Sequence, residues 1–190
     1  MSSSELAKSG GGLGYTHVAS KWGWFVALGV VLLLLGVFAL GDVVAVTLIS
    51  TIFIGAMLLV GGVFQVVHAF MVKTWSGFLL SMLGGIVYAV GGLLIMDEPV
   101  QGALVITLFL IAALMIGGIL RIIVAVRHRE MSGWWLMILS GLISVLIGFL
   151  LFVSFPWSGL WVLGTLIGVE LLVQGATWLM FGMALRRMRL

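Results

Sequence analysis

Cysteine is absent from this 190-residue chain, proline occurs only twice, and charged residues make up 8% of the composition. The missing cysteine excludes disulfides, a thiolate nucleophile and any cysteine-ligated metal. Pro99 and Pro156 fall in predicted turns, so no proline predicts a helix broken at mid-span. The low charge excludes an ordinary soluble domain, in which about 25% of residues are charged.

Long apolar segments fill the chain instead. Hydrophobic residues make up 63% of it, so lipid is the expected solvent. Six segments reach the roughly 20 apolar residues that a membrane span needs. They are Trp22–Leu40, Val43–Phe70, Trp75–Met96, Gly102–Val126, Trp134–Phe155 and Trp157–Leu185. The sequence therefore predicts an all-α membrane protein with six transmembrane helices.

All nine basic residues fall on one side of this predicted topology. They are Lys8, Lys21, Lys73, Arg121, Arg127, Arg129, Arg186, Arg187 and Arg189. The other side carries the acidic residues Asp42, Asp97 and Glu98. Since short cytoplasmic loops carry an excess of Lys and Arg, both termini are predicted to lie in the cytoplasm.

The net charge of +3 does not predict nucleic-acid binding, because the basic residues lie in short turns beside the membrane. Topology and anionic lipid head groups account for them. The predicted partner is therefore the lipid bilayer, with anionic lipids at the cytoplasmic turns. The composition is also compatible with a homo-oligomer.

The two ends of the chain lie outside the predicted six-helix domain, which covers 22–185. Residues 1–21 are rich in Ser and Gly and are predicted to form a disordered cytoplasmic segment, and residues 186–190 form a basic cytoplasmic tail. Ala39-Leu40-Gly41 resembles a signal-peptide cleavage site. The apolar run before it exceeds the usual length for such a peptide, so the first span is predicted to be retained.

A shift of 56 residues aligns the chain with itself twice. The aligned sets include Trp22, Phe78 and Trp134, as well as Gly62 and Gly118, with Gly175 one residue out of phase. The repeat predicts three tandem helical hairpins, at 22–70, 75–126 and 134–185. Parallel repeats are related by an axis along the membrane normal, so we expect pseudo-threefold symmetry. Chance alignment among 27 glycines is the alternative.

Glycines at seven-residue spacing form the strongest part of this repeat. The predicted helix-packing residues are Gly29, Gly36, Gly85, Gly92, Gly141, Gly148, Gly164 and Gly168. Residues seven apart differ by about 20° around a helix, so each pair lies on one stripe. Small residues let membrane helices approach closely, and this role is favoured over a ligand-binding one.

Two ionisable residues lie within predicted spans and form the candidate polar site. Glu170 lies near the middle of the sixth span and Arg121 near the cytoplasmic end of the fourth. Intramembrane charges usually have a partner, and these two are predicted to pair. Their role is left as a structural lock between helices, a conduction path or proton relay, or a catalytic function.

Other polar residues extend this candidate site. Gln65 and Thr177 align with Arg121 at the 56-residue shift, which predicts a polar layer in the cytoplasmic third. Gln174 lies one turn from Glu170 and is expected to hydrogen-bond it.

No catalytic, cofactor-binding or metal-binding residues are predicted. The three histidines, His17, His68 and His128, lack the spacing of a zinc site, and no Ser/His/Asp set is present. Acid sensing by histidine is compatible with their cytoplasmic positions, although interfacial histidines are usually only solvated.

Gly133-Trp134-Trp135-Leu136, Gly117–Arg121 and Gly168-Val169-Glu170-Leu171 resemble the HdeD family of bacterial acid-resistance membrane proteins, and the resemblance extends across all six spans. It implies a multi-pass protein of the bacterial inner membrane with a role in acid or general stress tolerance. The expected function is non-enzymatic, as a membrane-stabilising or interaction protein. The alternative is a channel or transporter for protons or a small solute, with Glu170 and Arg121 on its path.

Overall fold

The computed structural model describes residues 22–130 and 133–187, and these are almost entirely helical. The helices are α1 (Trp22–Gly41), α2 (Val43–Ala69), α3 (Trp75–Asp97), α4 (Pro99–Arg127), α5 (Trp134–Val153) and α6 (Val162–Arg187), with a 3-10 helix at Trp157–Leu160. All six α-helices are long and apolar enough to cross a membrane. The predicted six-span, all-α class is confirmed, whereas the predicted segment 1–21 lies outside the described residues.

Local chemistry sets the tightest connections. Glu98 alone separates α3 from α4, and its N–H donates to the Leu94 carbonyl at 3.1 Å, which closes α3. Pro99 then starts α4, where a missing N–H costs no helical hydrogen bond. Gly133 precedes α5 at φ +86°, a left-handed conformation that glycine adopts without steric cost.

Burial is inverted relative to a soluble protein. The largest fully buried side chains among the described residues are Thr47, Thr51, Thr107 and Ser158. Large apolar side chains point outward instead, and Phe38 and Phe109 are 76% and 74% exposed. Soluble proteins bury such residues and rarely expose extended apolar surface. The described chain is therefore a multi-pass membrane protein.

The chain divides into two compact units. The central unit, 43–164, holds α2 to α5, the 3-10 helix and the first residues of α6. Within it α2 packs mainly along α3, and α4 packs mainly along α5. The described part of the terminal unit holds 22–42 and 165–187, in which α1 packs along α6.

Three reciprocal glycine contacts bring helix backbones together. A methyl group added to Gly85 would lie 2.9 Å from the Gly62 carbonyl oxygen. The same group on Gly141 would lie 2.8 Å from the Gly118 carbonyl, and on Gly29 it would lie 2.8 Å from the Gly175 carbonyl. Each distance is too short for a real Cβ, so each position requires glycine unless the backbones separate.

A second row of small residues lies one or two turns further along the same helices. A methyl group on Gly92 would lie 2.5 Å from the Gly55 carbonyl. The other predicted packing glycines meet side chains or backbone: Gly36 meets Leu172, Gly148 meets Met115, Gly164 meets Val43 and Thr47, and Gly168 meets Leu40. Every glycine predicted to pack therefore lies against a neighbouring helix.

The close pairs cross the boundaries of the predicted hairpins. The second helix of one predicted hairpin packs on the first helix of another: α2 on α3, α4 on α5, and α6 on α1. The contacting glycines of α2 and α4, Gly62 and Gly118, are 56 residues apart, whereas Gly175 of α6 follows 57 residues later. The three interfaces thus use equivalent residues, with α6 displaced by one position.

Candidate functional site

Glu170 and Gln174 form an exposed polar pair on α6. Glu170 lies eight residues after α6 begins, about 12 Å along the helix at 1.5 Å per residue. The Gln174 Nε2 donates to the Glu170 Oε1 at 2.9 Å, the contact expected from their spacing of four residues. Both side chains are exposed, so a carboxyl group lies on the outer surface of a spanning helix.

Arg121 is held on the surface of α4 by a neighbour on α5. Its Nη1 donates to the Ser144 Oγ at 3.3 Å, and its side chain is exposed. Its Cβ lies 3.3 Å from the position that a methyl group on Gly141 would take. Arg121 belongs to the central unit and Glu170 to the terminal unit, and their pairing stays a prediction.

Gln65 and Thr177 have separate surroundings. The Gln65 amide lies beside Gly84, whose added methyl group would be 2.8 Å from Nε2. Gln65 and Tyr88 also line an open groove of about 480 Å³ with Phe53, Ile54, Met57, Leu58 and Gly61. Thr177 donates to the Val173 carbonyl at 2.8 Å. Because α6 is displaced by one residue, Trp178 rather than Thr177 packs at the position equivalent to Gln65 and Arg121.

Buried hydroxyl groups form a polar feature that the sequence interpretation missed. Thr47 Oγ1 donates to the Val43 carbonyl at 2.7 Å and accepts the Gly164 N–H at 2.9 Å. Thr51 donates to the Thr47 carbonyl at 2.8 Å. The signal was available, because Thr51 and Thr107 stand 56 residues apart, at the period of the repeat.

Thr107 differs from the other buried hydroxyls. Ser158 donates to the Leu151 carbonyl at 2.9 Å, but Thr107 Oγ1 has no hydrogen-bond partner among the described residues. Its side chain is fully buried on α4. A buried hydroxyl without a partner costs about 1–3 kcal/mol, which marks this position as unusual in the core.

Basic residues stack on tryptophans at the ends of the spans. The Arg186 guanidinium lies 5.1 Å from the ring centre of Trp22, and that of Arg129 lies 5.7 Å from the ring of Trp134. Trp75 stacks on Phe78 at 5.6 Å. Tryptophans at such ends are typical of the membrane–water interface, where a neighbouring cation adds cation–π attraction.

The acidic turn between α3 and α4 borders a surface cavity of about 300 Å³, lined by Asp97, Glu98, Gln101 and neighbouring apolar residues. No group of three His, Asp or Glu residues in the described ranges could hold a metal ion. His128 Nδ1 lies 3.1 Å from the Val124 carbonyl oxygen at the end of α4. His68 is exposed near the end of α2, and His17 lies outside the described residues.

Comparison with known proteins gives two matches and one negative result. A family model described as a short repeat of unknown function (DUF308) matches residues 27–97 and again 98–153. Protein HdeD of Escherichia coli strain K12 is 27% identical over 150 residues, which cover 76% of this chain and 74% of that protein. Protein HdeD of Shigella flexneri matches to the same extent. No solved structure matches the chain. Because the repeat model covers more than half of the chain and HdeD matches most of its length, the chain belongs to the HdeD-type family of DUF308 repeats.

Proposed function

We propose that this protein serves acid or general stress tolerance in the bacterial inner membrane without catalysing a reaction. In this role it stabilises the membrane or holds a partner there. The relationship to HdeD supports the stress role, because the HdeD family is one of acid-resistance membrane proteins. It also supports the inner-membrane location.

The observation that carries the non-enzymatic role is the inverted packing of the helices. Glycine backbones meet so closely that a methyl group at Gly85 or Gly141 would clash with a carbonyl oxygen. Large apolar side chains cover the outside. A closely packed interior and an extended lipid-facing surface suit a protein whose partner is the membrane itself.

The proposed arrangement has three tandem repeats around an axis along the membrane normal, with both termini in the cytoplasm. The equivalent glycine contacts of the three helix pairs support the threefold arrangement. The distribution of basic residues supports the orientation. Arg129 and Arg186, stacked on tryptophans, would then face anionic lipid head groups on the cytoplasmic side.

Transport of protons or a small solute is the second candidate, and one observation favours it. The unpartnered Thr107 hydroxyl in the core would gain a partner from a water molecule or a permeating solute. Glu170 and Arg121 would then serve the path rather than the packing, in line with the usual role of intramembrane charges.

The two functions differ in a flux measurement. Purified protein in liposomes that contain a pH-sensitive dye would receive an imposed pH gradient, and survival after acid exposure would be measured in cells that express the same variants. A non-transporting protein restores survival while liposome proton flux stays at the level of empty liposomes. Proton flux above that level, lost in Thr107→Val or Glu170→Gln variants that still fold, would support transport and contradict the leading proposal.

A further inference from the structure

One face of α6 is uncovered along the helix. Its exposed residues are Leu166, Glu170, Val173, Thr177, Met180 and Ala184. They alternate at spacings of four and three residues, which is the spacing of the a and d positions of a coiled coil. The opposite face of α6 carries Gly168, Gly175 and Gly182, which pack against α1. The α1–α6 contact therefore leaves this stripe free.

The centre of the stripe carries unused hydrogen-bonding capacity. Gln174 Nε2 gives one N–H to Glu170, which leaves its second N–H and its carbonyl oxygen available. The Glu170 carboxyl group likewise has a second oxygen. In the hydrocarbon region no water satisfies such groups, and each unsatisfied group costs free energy.

The equivalent positions of the other repeats carry no such pair. At the packing register of α6, Glu170 corresponds to Met57 of α2 and Ala113 of α4, both exposed and apolar. The polar stripe is thus specific to α6. A single polar stripe on each copy favours a closed pair over an open lattice of copies.

We propose that this stripe is the interface of a parallel twofold homodimer formed by two copies of α6. Two copies share one orientation in the bilayer, so a twofold axis along the membrane normal places both stripes at the same depth. Gln174 of each copy then donates its second N–H to the Glu170 carboxyl group of the other copy. Side chains that hydrogen-bond between helices promote association in membranes, and a polar a position favours one oligomeric state. This inference concerns assembly and does not depend on the proposed stress function.

Single-cysteine cross-linking tests the interface directly, since the natural chain has no cysteine. Leu166→Cys, Val173→Cys and Met180→Cys lie on the stripe. Phe64→Cys and Phe109→Cys are matched controls on α2 and α4, where the native side chains are 71% and 74% exposed. After oxidation in native membranes, the stripe variants should form disulfide-linked dimers and the controls should not. Equal cross-linking of stripe and control variants, or none on the stripe, overturns the proposal.

The polar pair is tested by dimer dissociation, measured by energy transfer between labelled copies in lipid. Glu170→Leu should raise the dissociation constant by about 10- to 100-fold, the loss expected for interhelical hydrogen bonds. Glu170→Gln keeps a donor and an acceptor and should stay close to the parent. Phe109→Leu serves as a control that should change nothing. An unchanged dissociation constant in Glu170→Leu overturns the proposal.

A double variant distinguishes the second copy from the chain's own Arg121. Glu170→Cys combined with Arg121→Cys should give dimer-sized products on oxidation, because the thiols that replace Glu170 in the two copies face each other. A disulfide-linked species of monomer size would instead mean that Glu170 faces Arg121 within one chain, and it would overturn the dimer interface.

Discussion

Hydroxyl groups occupy the most deeply buried polar positions of the described core. Thr47 both donates to a helix carbonyl and accepts a backbone N–H from Gly164, so it joins the start of α2 to the start of α6 within the central unit. Thr107 makes no such bond. Two chemically identical side chains on different helices therefore have opposite expected effects on stability.

Replacement by valine separates these two roles. Thr107→Val removes an unsatisfied hydroxyl from a site of similar shape, so the free energy of unfolding should be unchanged or rise by about 1 kcal/mol. Thr47→Val leaves the Gly164 N–H without its acceptor and should lower stability by about 1–3 kcal/mol. Thermal unfolding in detergent measures both. A large loss in Thr107→Val would mean that the hydroxyl has a partner in the membrane, such as a bound water.

At the scale of the helix, three glycine doublets show which face of each helix meets a neighbour. In Gly61-Gly62, Gly91-Gly92 and Gly117-Gly118, an added methyl group on the first residue meets nothing within 4 Å. On the second residue it meets backbone or side-chain atoms of the packed helix, at 2.5 Å for Gly92 and 2.7 Å for Gly118. Adjacent glycines thus face an open surface and a closed interface.

Alanine at the two positions of one doublet should change stability in opposite directions. Gly118→Ala forces α4 and α5 apart, and overpacking of a tight core costs about 1–3 kcal/mol. Gly117→Ala gains the better helix propensity of alanine, up to about 1 kcal/mol, without a clash. Unfolding temperatures of the two variants in detergent provide the comparison. If both variants unfold like the parent, the backbones do not meet at Gly118.

At the scale of the molecule, orientation in the membrane is the property with the widest consequences. Each connection from α1 to α6 alternates sides if all six helices cross the bilayer, which separates the acidic turns from the basic ones. The Arg–Trp stacks then lie on the basic side, as expected for interfacial anchors.

Accessibility of introduced cysteines tests this orientation. In intact cells, Glu98→Cys should react with a membrane-impermeant thiol reagent, whereas Lys73→Cys and Arg129→Cys should react only after the membrane is opened. The unmodified chain, which has no thiol, gives the background. Labelling of Lys73→Cys in intact cells together with protection of Glu98→Cys would reverse the predicted orientation.

The number and approximate ends of the helices were predictable, since insertion into lipid depends on the apolar length of each segment alone. The sixth span is the informative exception. The sequence places its start at Trp157, but the structure has a 3-10 helix there and begins α6 at Val162. A 3-10 helix has three residues per turn rather than 3.6. A fixed period of 56 residues therefore fails to predict that Trp178, and not Thr177, follows Gln65 and Arg121.

The sequence by itself determined the six apolar helices, the family and the glycine rows, because hydropathy and residue size are local properties. The tertiary structure decided which helices meet. It pairs α2 with α3 and α4 with α5, across the predicted hairpins, and it buries Thr47 and Thr107 while exposing Glu170. These outcomes depend on which face of each helix meets a neighbour. Side chains on an all-apolar helix carry little information about that face, since lipid and protein are almost equally apolar surroundings.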